Sequence, residues 1–479
     1  MENKKTLSLS VALAIIVLPI LIILWGGLIL KVGFLVPLML ATVVASIIGL
    51  ATGFSWRQIE SYIVNGIHRI IIVMAILFLV GVLIGVWLQA GVIPFFLYWG
   101  LKLLSPSIFL ASTLVICTIF SIMTGTSFGT VGTAGLALIG VGEALGFPTG
   151  MTAGAIVSGA YFGDKMSPVS DTTNFASGVT DTPLFTHIGG MMWTTIPAWV
   201  VAFVIYLVLS LSYGGDMPDI SAFTNALGAK FNMSIFLVIP PAVLVVLAIR
   251  GVPSLPALSI AILAGVLVAF ILQDGITVNG IFKAATDGYV SDTGNVLVDR
   301  ILSRGGLNSM SFIVFLLLLA MTLGGILEGT GALEVVVNRL TMTVKSTGGL
   351  ILAVVLSCFL MGFGTGNAML AIAVPARAFA KKFKEKGIQS RVLSRTLEDS
   401  ATMITPLIPY SMAAFFIIGV LKVDPLDYVP YTFFNYIVPI FTLIYGFTGF
   451  AVWKIDDKKK KEAGVSSEAK AKDQEHADF

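Results

Sequence analysis

Apolar runs of about 20 residues recur along nearly the whole chain, each able to cross about 30 Å of hydrocarbon as a helix. Lipid offers the backbone no hydrogen-bond partners, so such segments must satisfy themselves internally. Charge is scarce in step with this. Of 479 residues, 57% are hydrophobic and 11% charged, whereas a soluble domain carries about 25% charged residues. A water-soluble enzyme or nucleic-acid binder is excluded, and a polytopic helical protein in contact with the lipid bilayer is expected.

Spans are expected near 9–30, 33–51, 70–90, 106–123, 149–163, 188–212, 232–249, 252–272, 309–328, 348–363, 397–420 and 430–453. Shorter apolar stretches at 92–104, 127–142, 332–343 and 366–380 suit short spans, re-entrant helices or interfacial helices. Met1–Lys5 resembles a charged leader, but the apolar run after it shows no small-residue cleavage site and reads as the first membrane helix. The net charge of +3 resides mostly in loops and tail; residues 454–479, with the Lys458–Lys461 run, read as a disordered cytoplasmic tail. Cys117 and Cys358 lie in apolar segments and imply neither disulfide nor metal. No cofactor is expected.

Two halves repeat at a nearly constant offset. Gly85–Gly91 parallels Gly325–Gly331 at 240, Gly125-Thr-Ser127 parallels Gly364-Thr-Gly366 at 239, Ser167-Pro-Val169 parallels Thr405-Pro-Leu407 at 238, and Pro183-Leu184 parallels Pro425-Leu426 at 242. Arg377, Lys381, Lys382, Lys384, Lys386, Arg391 and Arg395 follow the second Gly-rich element, whereas the equivalent 140–150 stretch has no Lys or Arg and one acid, Glu143. The positive-inside rule then places equivalent loops on opposite sides. The expected fold is all-α, with about 12 transmembrane helices in two inverted-topology repeats with re-entrant hairpins and broken helices. The divisions are a tail 1–8, repeat one 9–212, a connection 213–231, repeat two 232–453 and the tail 454–479, both termini being cytoplasmic. Such inverted halves are the plan of secondary transporters.

The functional lead is Gly163-Asp-Lys-Met-Ser-Pro-Val-Ser-Asp-Thr-Thr-Asn174, which puts charges inside an apolar chain. A charge at mid-bilayer costs about 2.5–3.5 kcal/mol on insertion scales, so it marks function. Pro168 breaks the helix, and Ser170, Asp171, Thr172, Thr173 and Asn174 offer oxygens to a hard cation. Asp171 is the expected exchanging carboxylate, binding Na+ or a proton, with helix capping as its structural alternative. Asp164 and Lys165 read as a separate ion pair, structural or titrating. Glu398 and Asp399 follow Arg395 and suit either the cytoplasmic interface or a proton relay. Thr124, Gly125, Thr126 and Ser127 form one expected hairpin tip, and Gly364, Thr365, Gly366 and Asn367 the other. Thr402, Thr405 and Pro406 form the second break; there, Pro409 stands where repeat one has Asp171. His68 reads as interfacial, His187 as near a helix start and His476 as tail. Gln89 and Glu328 are weak candidates for the pathway.

The 163–174 run, preceded by Thr124-Gly-Thr-Ser127, closely resembles the NhaC-type sodium/proton antiporters of bacteria across about residues 9–450. The resemblance implies a cytoplasmic-membrane antiporter exporting sodium against inward protons, with paired re-entrant hairpins and often a homodimeric scaffold. It also implies relatives that exchange organic acids, such as malate against lactate, so a small organic anion or an amino acid is the alternative substrate. The cation role falls on Asp171 and its polar neighbours. An intramembrane aspartyl protease using Asp164 and Asp399 would need Gly-x-Gly-Asp, but Tyr161-Phe-Gly-Asp164 lacks the first glycine; the serine-protease motif also fails around Ser158-Gly159. A channel fits two inverted broken-helix halves less well than alternating access does.

Overall fold

A computed structural model describes residues 7–213 and 220–455. Most of the expected tails, including Lys458–Lys461 and His476, and part of the 213–231 connection lie outside the described residues. Within them, the regular elements are helices, and an isolated antiparallel bridge joins Ile388 to Lys454.

Among the described residues, seven helices are long and apolar enough to cross a membrane: Leu9–Gly27, Ile71–Gln89, Pro106–Thr124, Leu184–Tyr213, Ser254–Leu272, Asn308–Gly329 and Thr347–Thr365. Three further pairs are bent at short breaks: Ser221–Lys230 with Ile235–Ile249 by 93°, Ser390–Leu407 with Met412–Leu421 by 48°, and Pro425–Tyr431 with Phe433–Thr448 by 51°. That makes up to ten spans by length and composition. Two of the twelve expected spans fall outside this set. Leu35–Ala51 has only 17 residues. Thr149–Met166 is too rich in Gly, Ser and Thr for a lipid-facing helix, and nearly every residue from Gly150 to Lys165 is buried.

That internal helix packs most extensively against Phe109–Thr124. Small residues permit the approach. A Cβ on Gly159 would sit 2.5 Å from the Leu114 carbonyl oxygen, and one on Gly163 would sit 2.5 Å from Ser121 Cβ. The outer helices behave oppositely. Leu18, Leu21, Val36, Val43 and Ile47 expose their side chains from Leu9–Leu24 and Leu35–Ala51, as a bilayer solvent permits.

Matching backbone devices recur in the two halves. Gly91 and Gly331 are left-handed residues preceding Val92–Leu103 and Ala332–Thr343. Gly125 (φ 67°) ends Phe109–Thr124, and Gly366 (φ 63°) ends Thr347–Thr365. After each tip the next helix is capped by a side chain: Thr126 accepts from Gly129 N, and Asn367 from Leu370 N. Ser170 and Ser411 both restart a helix after a break, accepting from Thr173 N and Ala414 N.

These pairs lie 240 or 241 residues apart, which removes the drift of the sequence alignment. Gly125 therefore matches Gly366 rather than Gly364, and Asp171 matches Met412 rather than Pro409. The Gly362-Phe-Gly-Thr-Gly-Asn run offers three glycines, and only the positive φ marks the one at the tip. Gly364 sits inside the helix against Leu333.

Candidate functional site

The first tip and the first break meet. Ser167 Oγ donates to the Ile122 carbonyl at 3.0 Å, tying the break to the hairpin helix, and Val169 covers Gly125. Asn174 Nδ2 donates to the Pro168 and Ser170 carbonyls at 2.8 and 2.7 Å, and Thr173 Oγ1 to the Lys165 carbonyl at 2.9 Å. Proline removes a donor and obstructs the preceding turn; Thr173 bonds a carbonyl of that turn, and Asn174 ties down the carbonyls of the break itself. Asp164, only 4% exposed, points into the junction. Its carboxylate accepts the Ser127 backbone N–H at 3.0 Å and the Ser170 hydroxyl at 2.7 Å. Both donors are neutral. Ser170 Oγ also lies 3.2 Å from Thr172 Oγ1, whose hydroxyl approaches Glu398.

Lys165 does not pair with Asp164, contrary to the reading from adjacency. It forms an ion pair with Asp399, both side chains being fully buried. Successive residues on a helix point about 100° apart, so Asp164 faces the hairpin tip while Lys165 faces the other half. The remaining Asp399 oxygen accepts from Thr442 Oγ1. Glu398 and Asp399 occupy a π-helical turn, Glu398–Thr402, and are fully buried, so the interfacial reading does not hold. Glu398 Oε1 accepts from Thr402 at 2.9 Å, while Oε2 makes no hydrogen bond. Nearby, His187 Nδ1 lies 2.9 Å from Ser394 Oγ in a buried contact.

Asp171 stands apart from this buried group. It is exposed in the first turn of Asp171–Val179, where its Oδ1 accepts its neighbour's N–H, Thr172 N, at 2.9 Å. It lines a cavity of about 620 Å³ with Thr124, Gly125, Thr126 and Thr133 on one side and Val80, Phe128 and Phe416 among the apolar walls. Asp171 remains within electrostatic reach of Asp164. One acid thus faces the cavity and the other lies behind the tip.

In repeat two the predicted hydroxyls bond locally. Thr365 Oγ1 donates to Met361 O at 2.7 Å and Thr405 Oγ1 to Ala401 O at 2.8 Å. The Pro406 carbonyl accepts Tyr428 Oη at 2.6 Å. Glu328 is held by Arg69 rather than facing a pathway, and His68 ends the helix Trp56–His68 beside it. Sequence reasoning missed Thr442 and Arg395 as members of the buried cluster. Thr442 had a signal, being the one Ser or Thr in the interior of the apolar run Phe433–Thr448.

A model of the Na+/H+ antiporter family matches residues 159–450, which include both breaks and the Lys165–Asp399 pair. The chain is 38% identical to the Na(+)/H(+) antiporter NhaC of Alkalihalophilus pseudofirmus, over 95% of this chain and 98% of that protein. It is 36% identical to the Na(+)/H(+) antiporter NhaC of Bacillus subtilis, over 93% and 99%. It is also 34% identical to the malate-2H(+)/Na(+)-lactate antiporter of Bacillus subtilis, over 86% and 88%. The protease reading falls with this, as does any use of Asp399 in an aspartyl dyad, since its carboxylate is tied to Lys165. A multi-pass membrane chain built on broken helices, with buried charges joining its halves and this likeness along its length, belongs to the Na+/H+ antiporter family.

Proposed function

We propose that this protein exports Na+ in exchange for H+ across the bacterial cytoplasmic membrane by alternating access, with both termini cytoplasmic and the two halves inverted. The observation that carries the reading is Asp164: a buried carboxylate met by two neutral donors from a hairpin tip and a helix break. A carboxylate removed from water is costly unless it holds a proton or a cation. Proton and Na+ therefore compete for one group, and the empty anion resists crossing. That competition produces one-for-another exchange. Ser170 and Thr172 add the hydroxyl oxygens a hard cation prefers. Asp171 is the outer carboxylate, drawing cations into the cavity.

The relative named for malate and lactate exchange motivates the alternative, a small organic acid. The cavity favours the cation. Among its lining residues Asp171 is the charged side chain, and its sign repels an organic anion. The homodimeric scaffold implied by the resemblance belongs to the same proposal.

Reconstitution into liposomes with an imposed pH gradient tests the reading. Sodium addition should dissipate the gradient in the wild type and leave it intact with Asp164→Asn. Undiminished exchange in that variant would remove Asp164 from the mechanism. Uptake of labelled malate or lactate without any sodium response would establish the organic-acid alternative instead.

A further inference from the structure

Arg395 lies one helical turn before Asp399 and is completely buried. Its Nε stands 4.0 Å from Asp399 Oδ2, just beyond hydrogen-bond reach. Nη1 donates to the Ala451 carbonyl at 3.0 Å, while Nε and Nη2 make no hydrogen bond. A buried cation with unsatisfied donors is costly to maintain. Asp399 thus has one cation in contact, Lys165, and a second within an ångström or so of contact.

Arg395 is held there by a strap at the end of the described chain. Gln389 N donates to the Trp453 carbonyl at 2.9 Å, and Ile455 N to the Gly387 carbonyl at 2.7 Å. Ile388 and Lys454 bridge antiparallel between them. The Trp453 ring carries Arg391 at 3.8 Å and Arg395 at 5.4 Å, and Trp193 packs on it edge-to-face.

We propose that Arg395 is a positioning residue, the second partner of Asp399, which the strap holds ready to take over the carboxylate when Lys165 turns away from it. Lys165 has a destination, because Glu398, with its free oxygen, is within its electrostatic reach. A guanidinium suits the receiving role, since it stays charged throughout and can meet a carboxylate with two parallel donors. The strap then belongs to the transport machinery, because it fixes Arg395 at the distance from which it can close. The transport half of this inference rests on the exchange reading above; the pairing half does not.

The pairing half is tested by thermal unfolding of the purified full chain. Lys165→Met should lower the midpoint modestly, because Arg395 closes on Asp399. Lys165→Met with Arg395→Gln should lower it by more than the two single shifts combined. Adding Asp399→Asn should recover most of that loss by removing the stranded anion. Additive single shifts would overturn the proposal. In liposomes, Arg395→Gln should slow exchange at saturating sodium while leaving half-saturating sodium near the wild-type value. Arg395→Lys should restore part of the rate, and Trp453→Ala should move it in the same direction as Arg395→Gln. A wild-type maximal rate in Arg395→Gln would also overturn it. A wild type that exchanges no sodium for protons would defeat the exchange reading alone, leaving the unfolding cycle to decide the role of Arg395.

Discussion

Lys165 and Asp399, 234 residues apart, form a fully buried ion pair between the two halves. Breaking such a pair from one side costs about 3–5 kcal/mol, because the other charge is left uncompensated. Asp399→Ala takes the contacting carboxylate from Lys165, which must turn to Glu398, and leaves Arg395 without its nearest carboxylate. It should therefore destabilise by about that amount, and by more than Lys165→Met does. Thermal or denaturant unfolding of the two variants checks the order; equal losses would contradict the asymmetry.

Ser170 performs two tasks at once, capping Asp171–Val179 and donating to Asp164. Ser170→Ala should cost about 1–3 kcal/mol, since a buried acceptor loses its partner and the helix its cap. Ser170→Thr keeps the hydroxyl and should retain most of the stability. Unfolding curves of the two variants separate the effects.

The two acids of the first break should respond differently. Asp164→Asn should abolish sodium-driven proton flux, because the amide cannot exchange a proton for a cation. Asp171→Asn should raise the sodium concentration for half-maximal rate while exchange persists, because Asp171 faces the cavity rather than the buried junction. Complete loss of exchange in Asp171→Asn with retention in Asp164→Asn would reverse these roles.

Close helix packing makes Gly163 intolerant of substitution. An added Cβ would lie 2.5 Å from Ser121 Cβ and 2.6 Å from both Ile122 N and Thr118 O. Gly163→Ala should destabilise by about 1–3 kcal/mol through overpacking. Gly189→Ala has nothing within 4 Å and serves as the control; its effect should stay within about 1 kcal/mol. Melting temperatures of the pair give the comparison.

Inversion of the halves is tested by labelling. Lys384→Cys lies in the basic stretch after the second tip, and Pro148→Cys in the corresponding 140–150 stretch of the first half; both positions are exposed. Cys117 and Cys358 are buried and contribute little background. An impermeant thiol reagent applied outside intact cells should modify Pro148→Cys and spare Lys384→Cys. Modification of both from one side would defeat the inverted arrangement.

Much of the architecture is legible in the sequence. Long apolar runs determined a helical membrane protein, because lipid forces the backbone to bond to itself. Glycine, threonine and proline at matched intervals located both hairpin tips and the first break, because those residues alter the backbone locally. The second break is expected a few residues early, at Thr405–Leu407 rather than Ile408–Tyr410, because Pro406 and Pro409 both stand in that stretch and identity alone cannot rank them. The polar segment 163–174 was recognised for the same reason its charges are informative: they are expensive where they lie.

The sequence by itself thus determined most of the segments apolar enough to cross a membrane, the first break and which residues are too polar to be there by accident. These are properties of single segments in a solvent of known polarity. Tertiary structure alone decided the pairing of the charges: Lys165 with Asp399 rather than its neighbour Asp164, Arg395 beside the same carboxylate, and Asp171 on the cavity wall. Each depends on the angle at which a side chain leaves its helix and on which distant helix fills that direction. Neighbours in sequence face apart on a helix, and residues from opposite halves meet only when the halves pack.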